Sequence, residues 1–245
     1  MNDPELLIRD KYDGDARLVT ETDRKRLTSG EPLAYVIGWI PFLGLRIYLD
    51  SHPLIPRPET EWWTELLVAH LTERFGDQPF TFLDMCAGSG AIGLSVLKAC
   101  PSAHVTFSEL EATHLETIQK SIQGNGLNES RATLIQGDLF ASLPGATFDC
   151  IAINPPYIPS GRELPGSVAL YEPANALFSG GDGLDLIHTF SNEVKQYLKP
   201  GAEVWLEADV ENIHEAETLL SAGGALRTDI RTDLYGRKRI VVAFW

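Results

Sequence analysis

Four consecutive residues, Asn154-Pro155-Pro156-Tyr157, bring together a side-chain amide, two rigid backbone positions and an aromatic ring. That set suits one chemical problem. A planar NH2 is a poor nucleophile because its lone pair is delocalised, so a site that alkylates it must accept its hydrogens and turn the lone pair toward the electrophile. The side-chain oxygen of Asn154 and the carbonyl of Pro155 offer two acceptors, the prolines fix their directions, and the Tyr157 ring can cover the planar group and exclude water. Read blandly, the tetrapeptide is a turn beside a packing tyrosine. Its position favours chemistry: the run Phe148-Asp149-Cys150-Ile151-Ala152-Ile153 before it reads as a buried strand, and open α/β sheets bind ligands beyond the carboxyl ends of their strands.

A second cluster follows a second strand-like run. Phe80-Thr81-Phe82-Leu83-Asp84-Met85 leads into Cys86-Ala87-Gly88-Ser89-Gly90-Ala91-Ile92-Gly93 and then into an apolar helix. Glycines there allow a tight turn and let a ligand reach main-chain amides at a helix start. Gly88-x-Gly90-x-x-Gly93, with Glu109 nineteen residues after Gly90, also meets the dinucleotide fingerprint, whose ribose-binding acid stands about twenty residues on. Asp84 leans the other way. At the strand end it is placed to meet an ammonium, which S-adenosylmethionine carries and a dinucleotide lacks, and it would repel a pyrophosphate. Taken singly, Asp84 reads equally as a helix cap or solvated strand end, and Glu109 as a surface carboxylate.

The elements needed to hold these clusters are legible as a repeated alternation. Helices are expected near 59–75, 90–99, 112–124, 183–198 and 212–222, and strands near 80–85, 103–108, 131–136, 148–153, 202–207, 225–231 and 238–244. Such alternation requires parallel strands with helices on both faces. Ahead of it, residues 1–30 are charged and suit two short helices without a core of their own. Residues 35–40 and 42–49, broken by Gly38, Pro41 and Gly44, suit a bulged hairpin, and the prolines between 51 and 58 an extended strap. The implied division is a helical appendage at 1–30, hairpin and strap at 31–58, and a catalytic domain at 59–245. The connection 154–182 is long for a compact domain and reads as a mobile rim to the site.

Composition narrows the classes. The 245 residues carry 34 acidic and 20 basic side chains, a formal charge of −14, which argues against holding nucleic acid by overall field. Three cysteines in or beside apolar runs, with no zinc spacing, indicate a reduced, cytoplasmic protein. No run of about eighteen apolar residues suggests a membrane span, and the acidic start is unlike a signal peptide. The six histidines show no metal spacing, so no metal is expected.

An ordered series of motifs then carries a resemblance. Gly30-Glu31-Pro32-Leu33-Ala34-Tyr35 with Gly38, Leu54-Ile55-Pro56-Arg57-Pro58-Glu59-Thr60-Glu61, the run from Asp84 to Ile92, Gly137-Asp138-Leu139-Phe140, Asn154-Pro155-Pro156-Tyr157-Ile158, Glu172-Pro173, Gly180-Gly181-Asp182-Gly183-Leu184 and Asp233-Leu234-Tyr235-Gly236-Arg237 occur in that order. Over residues 30–245 the sequence resembles the peptide-chain release factor glutamine methyltransferases, the PrmC/HemK family. The resemblance implies an α/β fold, a class I S-adenosylmethionine-dependent methyltransferase with a Rossmann-like, doubly wound, mostly parallel seven-stranded sheet, here with a short N-terminal helical and hairpin extension. It implies S-adenosyl-L-methionine held at Asp84, Cys86, Ala87, Gly88, Ser89, Gly90, Glu109, Asp138, Leu139 and Asn154. Asn154, Pro155, Pro156 and Tyr157 would receive a glutamine amide from the Gly-Gly-Gln motif of a release factor. Separately from the resemblance, the protein is expected to be a monomer. Three departures stand out. Cys86 replaces a usual glycine, which the turn accepts if its backbone is not left-handed; Glu109 replaces a usual aspartate; and about thirty residues stand where the family carries a helical substrate-recognition domain.

Other features divide between roles. Arg57 suits either the ligand pocket or loop bracing, Trp62 and Trp63 suit core or interface, and Arg227, Arg231, Arg237, Lys238 and Arg239 make the last segment locally basic. Competing readings are amino methylation of a flipped adenine, which the same tetrapeptide would seat, a non-catalytic module on the same fold, and dinucleotide oxidoreduction, which leaves Asn154 to Tyr157 idle.

Overall fold

A computed structural model describes residues 4–245. Strands β1 (Trp39–Phe42) and β2 (Leu45–Tyr48) form an antiparallel pair. Seven more, β3 (Phe80–Met85), β4 (Ala103–Glu109), β5 (Ala132–Gln136), β6 (Phe148–Ile153), β7 (Leu198–Glu207), β8 (Arg227–Thr232) and β9 (Lys238–Phe244), build one sheet in the order β5-β4-β3-β6-β7-β9-β8. The five strands from β5 to β7 are parallel, and β9 runs antiparallel to both neighbours. This is the doubly wound α/β architecture expected.

Period-two alternation in uninterrupted apolar runs makes the sheet a partition between two cores. Phe82, Cys150, Ala152, Ile240 and Val242 face one side; Leu83, Ile151, Ile153, Val241 and Ala243 face the other. The first side is covered by α4 (Pro58–Phe75), α5 (Ala91–Ala99) and α6 (Ala112–Gly124), through Trp63, Leu67, Leu71, Leu94 and Ile118. The second is covered by α8 (Asp185–Glu193) and α9 (Ile213–Ala222), through Ile187, Phe190 and Leu220. Each such buried side chain contributes about 1.5–3 kcal/mol of transfer free energy, so the central strands are the rigid frame for the loops that leave them.

The direction in which strands are added to the sheet reverses between β3 and β6, which are themselves parallel. From β3 the chain winds outward through β4 to β5, then returns to lay β6 on the other side of β3. The loops after β3 and β6 therefore leave the sheet side by side at the topological switch point, where a crevice must open.

Several local expectations need correction. The stretch Leu33–Ile37 is helical (α3), with Gly38 in the left-handed region as its stop. The hairpin turns through Leu43 and Gly44, both at positive φ, and its register is unbroken from Trp39 opposite Tyr48 to Phe42 opposite Leu45, so it has no bulge. The expected helix 183–198 ends at Glu193 in a 3-10 turn, and β7 starts at Leu198 rather than 202, with a register shift after Phe148. The connection 154–182 is built rather than bare: it contains α7 (Gly166–Tyr171), a 3-10 turn Ala174–Ala176 and an isolated bridge from Ile158 to Phe178.

Near the N-terminus, α1 (Pro4–Tyr12) and α2 (Glu21–Thr28) join through polar contacts more than through apolar burial. Asp23 ends the Thr20 capping box and also accepts from Lys11 Nζ at 2.7 Å and from the Tyr12 hydroxyl. Four donors from three residues, Lys11, Tyr12 and Thr20, hold this carboxylate well below the ordinary range despite its burial. Arg26 pairs with Glu31, and Tyr171 in α7 donates to the Ser29 carbonyl at 2.7 Å, tying α2 to the rim.

Candidate active site

At the switch point lies a cleft of about 920 Å³, mouth included. Its floor is the β3–α5 loop at Cys86, Ala87, Gly88 and Ser89; its sides include Glu109, Asp138, Leu139, Asn154 and Pro156. Asn175 from the 3-10 turn reaches Glu111 at 3.2 Å, so the rim passes over the mouth.

The loop is shaped by the backbone. Cys86, Gly88 and Gly90 all have positive φ, 56°, 53° and 76°. A Cβ on Gly88 would have nothing nearer than the Cys86 carbonyl at 3.9 Å, so bare main chain faces the open cleft there. Glu109, almost fully buried at the end of β4, accepts from Gly88 N–H at 2.7 Å and from Glu111 N–H at 3.0 Å. Its carboxylate thus fixes the loop while keeping lone pairs for a ligand. Asp84 lies behind the loop and not on the cleft wall: one carboxylate oxygen accepts from Gly93 N–H at 2.8 Å, and the other is buried without a partner. Burial raises its pKa to about 8. Gly90 is likewise absent from the wall; it is the left-handed N-cap of α5.

The loop after β6 divides two spaces. Asn154 and Pro156 line the cleft, while Asn154, Pro155 and Tyr157 line a second cavity of about 680 Å³ with Leu54, Arg57, Leu164, Pro165 and Val168. Arg57 is braced by Glu172 at 2.6 Å, and the same buried carboxylate accepts from Ile55 N–H; the residue is at once a wall of the cavity and a loop brace. Behind Tyr157, Gly183 at φ 85° approaches so closely that a Cβ would stand 2.3 Å from the Tyr157 carbonyl oxygen. Any side chain at 183 would displace the loop at Tyr157.

Beneath Asn154 is a buried polar cluster. Asn154 Nδ2 donates to Thr60 Oγ1 at 3.3 Å, and Thr60 Oγ1 donates to Glu207 Oε2 at 2.8 Å. The same oxygen accepts from Trp63 Nε1 at 2.6 Å, and Oε1 from the Tyr157 hydroxyl at 3.0 Å. Burial raises the pKa of Glu207 against these donors, and burial together with the Glu207 charge pushes the Tyr157 hydroxyl well up, so that phenol stays protonated.

Residues 59–188 match the family described as Methyltransferase small domain. The release factor glutamine methyltransferase of Rhodopirellula baltica is 35% identical over 222 residues, covering 89% of this chain and 75% of that protein. The chain belongs to the release factor glutamine methyltransferase family. The Deinococcus radiodurans member is 33% identical, covering 94% of this chain and 80% of that protein. Among solved structures, a methyltransferase from Pyrococcus furiosus has a TM-score of 0.58 at 16% identity, covering 92% of this chain and 98% of that one. A T. thermophilus 16S rRNA N2 G1207 methyltransferase, solved with AdoMet and guanosine, has a TM-score of 0.55 at 22% identity, covering 84% and 49%. The shared architecture is the S-adenosylmethionine-dependent methyltransferase fold.

Within this methyltransferase, Cys86 is left-handed, contrary to the condition set for replacing glycine, and a cysteine in that region carries roughly 1–2 kcal/mol of strain. Burial, with the charges of Glu109, Asp84 and Asp138, pushes its thiol far up, so it is no thiolate nucleophile. Thr60, Trp63 and Glu207 were not singled out as site residues from sequence. Thr60 lies in the quoted Pro-Glu-Thr-Glu run, and Glu207 ends a strand at the ligand-binding side of the sheet, a position that marks it for attention. His114, also on the cleft wall, bonds Ser51, and burial lowers its pKa. The C-terminal arginines are engaged: Arg237 pairs with Asp233 and Glu59, Arg227 with Asp229, and Arg231 lies over the Trp205 ring. Among the described residues no helix is long and apolar enough to cross a membrane, and no group of three or more His, Cys, Asp or Glu could hold a metal ion.

Proposed function

We propose that this methyltransferase uses S-adenosyl-L-methionine to methylate a glutamine side-chain amide nitrogen, in the Gly-Gly-Gln motif of a peptide chain release factor. The observation that carries the reading is that two cavities meet at Asn154, one floored by bare backbone and a carboxylate, the other apolar and narrowed by Pro155 and Tyr157. When bound, S-adenosyl-L-methionine supplies an electrophilic methyl on a sulfonium. The first cavity fits that group: Glu109 keeps acceptor capacity for ribose hydroxyls, Leu110 and Leu139 offer apolar faces for the purine, and the Gly88 backbone admits the chain. Asp84, kept protonated near neutral pH by burial, serves the group by holding the loop through Gly93 N–H. Cys86, Ala87, Ser89 and Asp138 complete the wall, while Asp84 and Gly90 act through the loop.

In the second cavity the acceptor amide lies against Pro155 and under the Tyr157 ring. Asn154 Oδ1 and the Pro155 carbonyl accept its two hydrogens, which pins the NH2 plane and leaves nitrogen electron density directed toward the first cavity. These acceptors would favour the positive charge that develops on nitrogen as the N–C bond forms and the methyl's C–S bond breaks to leave the neutral thioether, and the extra proton would pass to solvent once the new N–C bond has formed. The surrounding leucines and prolines exclude water from the junction. The chain divides as appendage 1–30, hairpin and strap 31–58, and catalytic domain 59–245, and works as a cytoplasmic monomer on a protein acceptor. The acidic balance and the paired C-terminal arginines favour protein over nucleic acid. Labelled methyl transfer from S-adenosyl-L-methionine to an unmethylated release factor, and none to its Gln→Ala variant, is the expected result; labelling of nucleic acid instead would replace the glutamine assignment by the adenine one.

A further inference from the structure

Resting on the glutamine reading, we infer that Trp63, Glu207 and Thr60 form a lock that holds the Asn154 amide in one orientation, and that this lock makes the site choose a carboxamide over a carboxylate. Which end of an asparagine amide faces a cavity is settled only by its hydrogen-bond partners. Here the partners leave no choice. The indole N–H of Trp63 is a donor and nothing else, so Glu207 Oε2, which it contacts at 2.6 Å, must be an acceptor. A proton on the buried carboxyl would then sit on Oε1, where the Tyr157 oxygen can receive it, and Oε2 would remain an acceptor. Thr60, 2.8 Å from Oε2, must therefore spend its hydroxyl hydrogen there. What it has left for Asn154 is a lone pair, so the Asn154 group facing it is NH2, as the 3.3 Å contact has it.

The consequence reaches the acceptor cavity. With NH2 committed to Thr60, Asn154 presents Oδ1 to the second cavity, and Oδ1 rewards only a partner that brings hydrogen. A glutamine amide does; a glutamate carboxylate of the same shape meets acceptor against acceptor. All three residues of the lock are almost fully buried, so water cannot replace a missing partner. Thr60, Trp63 and Glu207 are positioning residues: they act through Asn154.

The test is a ratio of affinities rather than a rate. An unmethylated release factor carrying Gly-Gly-Gln and its Gly-Gly-Glu variant are titrated by calorimetry into enzyme loaded with S-adenosylhomocysteine, which has no methyl to transfer and no sulfonium charge to attract a carboxylate. The parent should prefer glutamine at least tenfold. Thr60→Val, which keeps shape but loses both hydrogen-bonding roles, should bring the preference below about threefold by freeing the amide to turn, while Thr60→Ser should restore it. Glu207→Gln should keep the preference, since its carbonyl can serve Trp63 and Thr60 and its NH2 can face the Tyr157 oxygen; Thr60→Ala, which also lacks the hydroxyl and should lose the preference, carries the test if Thr60→Val fails to fold. Thr60→Val or Thr60→Ala with the parental ratio, or Glu207→Gln without it, overturns the lock while leaving the glutamine assignment in place. A parent that binds S-adenosylhomocysteine but takes neither release factor refutes that assignment, and the lock with it.

Discussion

The loops after β3 and β6 leave neighbouring strands at the same end of one sheet, yet they are held in place by opposite means. The first is bent by three positive-φ residues and tethered through its Gly88 amide to Glu109. The second has two prolines for rigidity and takes its definition from side chains beneath it, Asn154 through Thr60 to Glu207 and Tyr157 directly to Glu207. The difference follows the ligands. A large cofactor with many polar groups is read by main chain, which every residue possesses, so sequence there is limited mainly by conformation. One small planar amide must be read by individual side chains, and a single substitution removes the reader.

The largest expected effect is therefore on the second loop. Asn154→Ala should slow single-turnover methyl transfer about a hundredfold, roughly 2.7 kcal/mol, while calorimetry finds cofactor affinity within about twofold of parent. Comparable damage to both quantities would erase the division of labour between the loops. Glu109→Ala should do the reverse, weakening cofactor binding by about 1.5–3 kcal/mol with less change in turnover at saturation. If its effect were confined to turnover, the ribose site would have to be moved.

A pH series sharpens the comparison behind the first loop. Asp84 has a folded pKa of about 8, above that of an exposed carboxyl, so the folded chain keeps a proton there that the unfolded chain releases. The stability it contributes is present at low pH and declines as pH rises from about 4 to about 8, levelling beyond. Asp149, Asp209 and Asp233, whose pKa values are lowered in spite of partial burial by hydrogen bonds and cationic partners, lose their contributions only at more acid pH. Urea midpoints between pH 5 and 8 should thus fall more steeply for the parent than for Asp84→Asn, which keeps the slopes of Glu207 and His114; parallel slopes would refute the assignment. The smallest effect belongs to Cys86→Gly. Relief of left-handed strain should outweigh the added freedom of the unfolded chain by about 0.5–1 kcal/mol, raising the melting temperature by a few degrees with cofactor affinity unchanged.

How much could be read beforehand divides along the same line. The parallel strands announce themselves as continuous apolar runs because both faces are buried, and β3 falls on the expected bounds for that reason. The glycine loop and the tetrapeptide are contiguous, so their chemistry is visible in a short window. Thr60, Trp63 and Glu207 are not contiguous: 147 positions separate Thr60 from Glu207, and only the closed sheet brings them together. Asp84 was visible, but not its place behind the loop, because strand alternation gives the face of a residue and not the partner it meets there. The helical turn at Leu33–Ile37 was hidden by an aromatic and β-branched composition that favours strand, overridden by Pro32 as N-cap and Gly38 as stop.

The placement of β9 bears on how the protein is made. This strand follows β8 in the sequence but lies between β7 and β8, and Ile240 to Ala243 are wholly buried. Until it leaves the ribosome, β8 has no neighbour to pair with and β7 shows an open edge within an otherwise assembled sheet. A nascent chain that has reached Thr232 is therefore a sticky intermediate, and the hairpin of β8 and β9 must dock as one unit to finish it. Synthesis is protected least between the completion of β8 and that of β9, so a chaperone that waits for edge strands would find its substrate there.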